Sequence, residues 1–299
     1  MDQLTVTTGD GVRLACWDFA GAGEPLLLLH GVGLHGLCWG PVANLLAAGG
    51  FRPLALDMRG HGASGRAPGL GYGWQLFAAD ILAVVDGLGL ADGDGALVGV
   101  GHSAGASALL LAEAGRPGSF SRIWAWEPIV AVAGSSLRKQ RSSELAQRAR
   151  RRRSHFPSVD EARAHLKGRG MFAEFCPDAF EAFLAGGLVP ADEGGVKLAC
   201  RAEDEARAYA AAAEPRSWAR LEAVRCPVAV RGGETSPAVP RAELEAIAAQ
   251  LPAGEPEVVP SLGHFGPFQG PTDVAANIAG WARGGPPGPG AGPQPGRAA

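Results

Sequence analysis

No stretch of this 299-residue chain reaches the ~18 consecutive apolar residues that a membrane-crossing helix requires, so a spanning helix is not expected. The amino terminus, Met1-Asp2-Gln3, lacks a basic stretch followed by an apolar one and does not read as a secretory leader. A cytoplasmic location is expected. The five cysteines, Cys16, Cys38, Cys176, Cys200 and Cys226, are odd in number and scattered, with no C-x-x-C or His-rich spacing. They read as reduced, mostly buried thiols rather than a disulfide framework or a metal site. Charge of one sign is not in excess either. The formal net charge of -3 gives no global attraction to nucleic acid or to an anionic membrane. The expected partner is a small-molecule substrate, no metal or organic cofactor is implied, and the oligomeric state is left open. No internal repeat is visible. What the chain does have is 46% hydrophobic residues, enough to bury a full core as one large domain, alone or with an inserted subdomain.

Two β-rich runs, residues 4–7 and 12–18, flank Gly9-Asp10-Gly11 and predict an antiparallel hairpin, because that turn needs positive φ. Short unbroken apolar runs follow at 26–29, 52–56, 96–100, 123–126, 228–230 and 257–259. Helical patterns occupy 41–48, 74–88, 103–114, 240–250 and 272–283. Apolar strands alternating with helices predict an α/β fold, with a parallel sheet covered on both faces and its ligand site beyond the carboxyl ends of the strands. The rhythm breaks between Val130 and Val224, where polar, arginine-rich, helix-periodic sequence predicts an inserted helical cap. The domain expectation is a core of 1–130 and 225–283, a helical cap of 131–224, and a glycine- and proline-rich tail, 284–299, that cannot offset the entropy of ordering itself. Within the cap, Ser158-Val159-Asp160-Glu161 fits a capping box and marks a helix start near Val159.

Gly101-His102-Ser103-Ala104-Gly105 lies between the strand run ending at Val100 and a helical run, which makes it a G-x-S-x-G nucleophile elbow in its required context. The turn is sharp enough to strain the serine, and side chains at the two glycines would collide with backbone. The helix that follows aims its N-terminus at any oxyanion formed there. A serine hydroxyl is a weak nucleophile at neutral pH and needs a base, an acid to orient the base, and oxyanion donors. His264, in Gly263-His264-Phe265-Gly266-Pro267 after the last strand run, is the candidate base. His155 and His165 read as surface residues of the cap, His61 as part of a turn, and His30 as a loop hydrogen-bonding residue. The second oxyanion donor besides the N–H of Ala104 is assigned to the backbone of Val32 in His30-Gly31-Val32-Gly33.

Taken together, His30-Gly31 with Trp39 downstream, the run Asp57-Met58-Arg59-Gly60-His61-Gly62-Ala63-Ser64, the elbow, and Gly263-His264 resemble the α/β-hydrolase superfamily. The resemblance covers roughly residues 4–283. It implies a mostly parallel eight-stranded sheet flanked by helices, a helical cap inserted after strand six, and chemistry by Ser103 and His264. It also implies loop-organising roles for Asp57 and Arg59. The pattern departs at the acid. The family's usual aspartate, after strand seven, falls here on Ser236, and serine cannot stabilise an imidazolium as a carboxylate can. Some dehalogenases of the family carry the acid after strand six, where this chain reads Trp124-Ala125-Trp126-Glu127-Pro128. Glu127 is therefore the first candidate acid, because an unpaired buried carboxylate is costly. Glu234 is the alternative acid, and a dyad or a water-linked acid the remaining option. Pro128 is expected to hold Glu127 in an extended conformation.

A serine nucleophile argues against the epoxide-hydrolase and haloalkane-dehalogenase chemistries of the family, which use aspartate. It points to an ester or lactone of a small, fairly apolar substrate. Three alternatives accompany that reading: a pathway-specific acyl transferase or cyclase, a cofactor-free carbon–carbon hydrolase or perhydrolase, and a slow, receptor-like ligand-binding protein. The run Arg148 and Arg150 to Arg153 reads as a solvated helix face or as a contact for an acidic substrate. Phe156, Leu166, Met171, Phe172, Phe175, Phe180, Phe183 and Leu184 are expected to pack the cap, with some lining an acyl pocket. Trp39, Trp124 and Trp126 are expected in the core.

Overall fold

A computed structural model describes residues 1–66, 69, 71–91, 97–130, 136–212 and 216–284. The strands are β1 (Asp2–Thr7), β2 (Arg13–Asp18), β3 (Pro25–Leu29), β4 (Arg52–Leu56), β5 (Val98–His102), β6 (Arg122–Trp126), β7 (His155–Phe156), β8 (Leu188–Pro190), β9 (Val196–Leu198), β10 (Val228–Gly233) and β11 (Gly254–Val259). The helices are α1 (Gly40–Ala48), α2 (Trp74–Gly87), α3 (Ala104–Gly115), α4 (Ser136–Arg151), α5 (Val159–Leu166), α6 (Pro177–Gly187), α7 (Ala202–Ala211), α8 (Arg216–Arg220), α9 (Arg241–Gln250), α10 (Gly266–Gln269) and α11 (Pro271–Ala282). Eight strands form one sheet in the order β1-β2-β4-β3-β5-β6-β10-β11. Only β2 runs against its neighbours in that sheet. The predicted hairpin closes through Gly11, whose φ is +82°.

Alternation along β3 shows why this sheet is covered twice. Leu27 and Leu29 pack with Ile81 and Val84 of α2, Leu109 and Leu110 of α3 and Ile247 of α9. Leu26 and Leu28 join the opposite face, with Val42 and Leu46 of α1, Ile278 of α11, Trp39, Trp124 and Trp126. Successive side chains of a strand point to opposite faces, so an unbroken leucine run needs apolar cover on both sides. All four leucines are fully buried. The chain passes from β3 to β4 on one side of the sheet and returns to β5 on the other. The loops after β3 and β5 therefore diverge and leave a crevice at the carboxyl ends of these two strands.

The segment between β6 and β10 differs from its expected all-helical form. It holds α4 to α8, and also an antiparallel three-stranded sheet in the order β7-β9-β8. Strands of two or three residues carry too little alternation to be read against a helical background. Ser158 caps α5 as predicted, its hydroxyl accepting from the Glu161 N–H at 3.1 Å. Residue 96, expected to open a strand, and the tail after Gly284 lie outside the described residues. Among the described residues no helix is long and apolar enough to cross a membrane, and all five cysteines are unpaired, four of them buried.

Candidate active site

Ser103 stands between β5 and α3 with φ +55° and ψ -118°, a conformation that costs a non-glycine residue about 1–3 kcal/mol. Its neighbours hold it there. The Ser103 N–H donates to Trp126 O at 2.8 Å, and the Ser103 carbonyl accepts from the Ser107 N–H at 3.1 Å. The elbow glycines are required by space as well as by the turn. A Cβ on Gly101 would meet Ala106 Cα at 2.5 Å, and one on Gly105 would meet His30 O at 2.5 Å.

The loop after β3 packs directly against the serine. A Cβ on Gly31 would meet His102 Nδ1 at 2.8 Å and Ser103 Cβ at 3.2 Å, so a side chain here would push the buried His102 ring or the serine aside. Two neutral histidines hold the loop. His30 Nδ1 donates to Gly31 O at 2.8 Å while its Nε2 accepts from the Met58 N–H at 3.0 Å. His61 Nδ1 donates to Arg59 O at 3.0 Å and its Nε2 accepts from the Gly33 N–H at 3.1 Å. Burial pushes His30 well below the usual imidazole range and His61 down to about 4, which keeps the acceptor lone pairs free of protons. Among the described residues, neither the Val32 N–H nor the Ala104 N–H donates to a protein acceptor. Asp57 and Arg59 act as loop organisers. Asp57 accepts from the N–H groups of Gly36 and Ala63 and from Trp17 Nε1. Arg59 is buried between Asp80 and Asp10.

His264 follows β11 and faces the elbow. Its carbonyl accepts from Trp126 Nε1 and His102 Nε2, each at 3.0 Å, and its ring centroid lies 4.8 Å from that of His102. His264 Nδ1 is 2.6 Å from Glu127 Oε2. An ionised carboxylate only accepts, so Nδ1 is the donor of this bond and Nε2 is the ring nitrogen left for other partners. Glu127 has no solvent exposure, and Gly233 N–H donates to its Oε1 at 2.9 Å. Ser236 Oγ donates to its Oε2 at 2.7 Å. The structure thus brings Glu127, not Glu234, to the imidazole. Glu234 is exposed, and its carboxylate accepts from the Ser261 N–H.

The expected extended backbone at Glu127 is not found. Its φ is +45° despite Pro128. The Glu127 N–H donates to Arg231 O at 2.7 Å while the side chain is held at both oxygens. Tertiary contacts from β10 override the local preference. Ser236 was legible only as a missing carboxylate. The signal that could have marked it is a hydroxyl at the position where the acid was expected, opposite a glutamate on the neighbouring strand.

Around this pair the rings are apolar. Phe265 lies 5.0 Å from the His264 ring and 5.7 Å from Phe175, both phenylalanines being half-buried. Phe172 packs on Phe175 and Phe183. The arginines at the end of α4 and directly after it separate in kind. Arg150 pairs with Glu203 in solvent, and Arg153 lies over the Phe156 ring. Arg152 turns inward to Glu205 at 2.6 Å and lines a small, partly open pocket beside Gly33 and His35. Among the described residues no cluster of three His, Cys, Asp or Glu side chains could hold a metal ion.

Known proteins resemble the chain in both sequence and architecture. It is 40% identical over 100 residues to a non-heme haloperoxidase of Rhodococcus erythropolis, covering 33% of this chain and 34% of that protein. It is 31% identical over 172 residues to lipase LipV of Mycobacterium tuberculosis, covering 56% and 59%. The match to each curated relative therefore spans less than two thirds of that relative's length. The crystal structure of E-2-(acetamidomethylene)succinate hydrolase superposes with a TM-score of 0.81 at 23% identity, covering 94% of this chain and 99% of that one. Residues 26–277, most of the chain, match the alpha/beta hydrolase family, and with this sheet order and this elbow the chain belongs to that family.

Proposed function

We propose that the protein is a serine hydrolase that cleaves an ester or lactone bond of a small, fairly apolar substrate. The observation that carries this reading is the 2.6 Å Glu127–His264 pair, whose imidazole lies 4.8 Å from the ring of His102, the residue before the strained Ser103 at the head of α3. In this mechanism His264 Nε2 takes the Ser103 proton as Oγ attacks the carbonyl carbon. The tetrahedral oxyanion is met by the N–H groups of Val32 and Ala104 and by the N-terminus of α3. Glu127 stabilises the imidazolium, which returns the proton to the leaving alkoxide as the carbon–oxygen bond breaks. A water molecule, deprotonated by His264, then cleaves the acyl-serine ester and releases the acid. Phe175 and Phe265 offer the apolar wall against which the substrate's hydrocarbon part lies. The name of the lipase relative supports an ester.

The name of the Rhodococcus erythropolis relative favours one side reaction. Hydrogen peroxide replaces water at the second step and leaves as a peracid, with no change in the oxidation state of the protein.

Labelling with a fluorophosphonate probe tests the reading. Ser103 takes up the probe in the folded wild-type chain, and Ser103→Ala takes up none and loses turnover of p-nitrophenyl butyrate. Failure of folded wild-type protein to label overturns the hydrolase reading in favour of a binding protein.

A further inference from the structure

Ser236 belongs to the loop after β10 and stands where a carboxylate was expected, yet its hydroxyl is fully committed. Oγ accepts from the Ala238 N–H at 3.1 Å and lies 2.7 Å from Glu127 Oε2. An amide N–H can only donate and a carboxylate oxygen can only accept, so the one hydroxyl proton is directed at the glutamate. The oxygen it reaches is the same one that holds His264 Nδ1 at 2.6 Å. The other oxygen is tied to the Gly233 N–H at 2.9 Å. A glutamate has one more rotatable bond than an aspartate and reaches across from β6 to the β11 loop. Left with only the Gly233 amide and the imidazole itself, its carboxylate would be free to swing with the ring about its last side-chain torsion, a broad and soft one.

We propose that Ser236 is a positioning residue for His264, acting through Glu127. Its O–H pins the carboxylate plane so that Oε2 faces Nδ1, and its own orientation is set by the Ala238 amide. The proposal rests on the reading of Glu127 as the acid of the site. The other charged and titratable groups nearby are placed differently. His102 is buried and held neutral beside the His264 ring, Glu174 lies over Gly263 at the exposed rim, and Glu234 is engaged by Ser261. None of them donates to Glu127.

The experiment is a double-mutant cycle on full-length protein with p-nitrophenyl butyrate, with Ser236→Ala, Ser236→Thr, Glu127→Gln and the double Ser236→Ala/Glu127→Gln. A hydrogen bond to a charged group predicts a kcat loss of about 10- to 100-fold in Ser236→Ala with KM within about twofold. Ser236→Thr, which keeps the hydroxyl, recovers most of that loss. In the Glu127→Gln background the same alanine change has no further effect on kcat, since the group it positions is gone. A downfield proton NMR signal from His264 Nδ1–H, assigned by its loss in Glu127→Gln, broadens or moves in Ser236→Ala and is restored in Ser236→Thr. Wild-type kcat in Ser236→Ala, or an equal loss in the presence and absence of Glu127, overturns the proposal. If Glu127→Gln itself keeps full activity, the acid assignment has failed instead.

Discussion

Glu127 is buried without solvent contact, and its two oxygens receive three donors, Gly233 N–H, Ser236 Oγ–H and His264 Nδ1–H. A buried carboxylate so furnished is stable where it stands, and removing its charge strips the imidazolium of its counter-charge. Glu127→Gln is expected to lower kcat on the order of 10³-fold or more, whereas Glu234→Gln stays within about threefold of wild type. Steady-state rates of the two variants decide it, and the reverse ranking overturns the assignment. Glu127 could be singled out in the sequence as a candidate beside Glu234, because a carboxylate directly after an apolar strand asks for a partner. Its backbone was not. The proline rule predicted extended geometry, and the contacts with Arg231, Gly233 and Ser236, all distant in sequence, impose φ +45°. The role of Ser236 was hidden for the same reason. A hydroxyl acquires direction only from what it faces.

Helix α3 stands close behind the elbow because Gly105 lets it approach β3. A Cβ there would meet the carbonyl oxygens of His30 and Leu29 at 2.5 and 2.6 Å. Gly105→Ala is expected to destabilise the fold by about 1–3 kcal/mol and to displace the loop after β3, lowering activity together with the unfolding midpoint. Gly280, in the exterior of α11, is the counter-case, because a Cβ there meets nothing within 4 Å. Gly280→Ala is expected to stabilise by about 0.5–1 kcal/mol with kcat unchanged. Equilibrium denaturation of the two variants checks both signs. The elements themselves were readable from apolar periodicity, with boundaries shifted by a few residues: β10 runs on to Gly233 and β11 begins at Gly254. The three short strands between β6 and β10 were not readable. They exist through pairing with one another, at lengths where no periodic signal survives.

Across the whole molecule, the loops that frame the serine rest on imidazoles buried in the neutral form. His30 and His102 are held well below the usual range by burial, and His61 is pushed down to about 4. Below about pH 6.5 the unfolded chain binds protons at these rings and the folded chain does not, so stability is full above that pH and falls as the pH drops toward 4. His61 alone contributes roughly 2–4 kcal/mol of this dependence. Asp10, lowered to about 2 chiefly by its hydrogen bond from Arg59, acts in a separate window, its contribution being lost only as the pH falls from about 4 through 2. Urea midpoints measured at pH 7.5 and pH 5 should therefore drop, and His61→Asn should flatten the slope. A midpoint that rises toward pH 5 contradicts this account. The order of apolar runs, the spacing of the elbow and the glycines beside it were enough to determine an alternating α/β sheet with a serine at its edge, because strand and helix periods and turn sterics are local properties. Which carboxylate meets His264, how the arginines around the end of α4 divide between solvent and interior, and which hydroxyl holds the acid were decided only when β6, β10 and the loop after β11 came together. Hydrogen bonds at 2.6 to 2.9 Å join residues more than one hundred positions apart, and no local rule counts across that gap. The elbow therefore put the serine of the proposed mechanism in the sequence, and the tertiary structure decided what surrounds it.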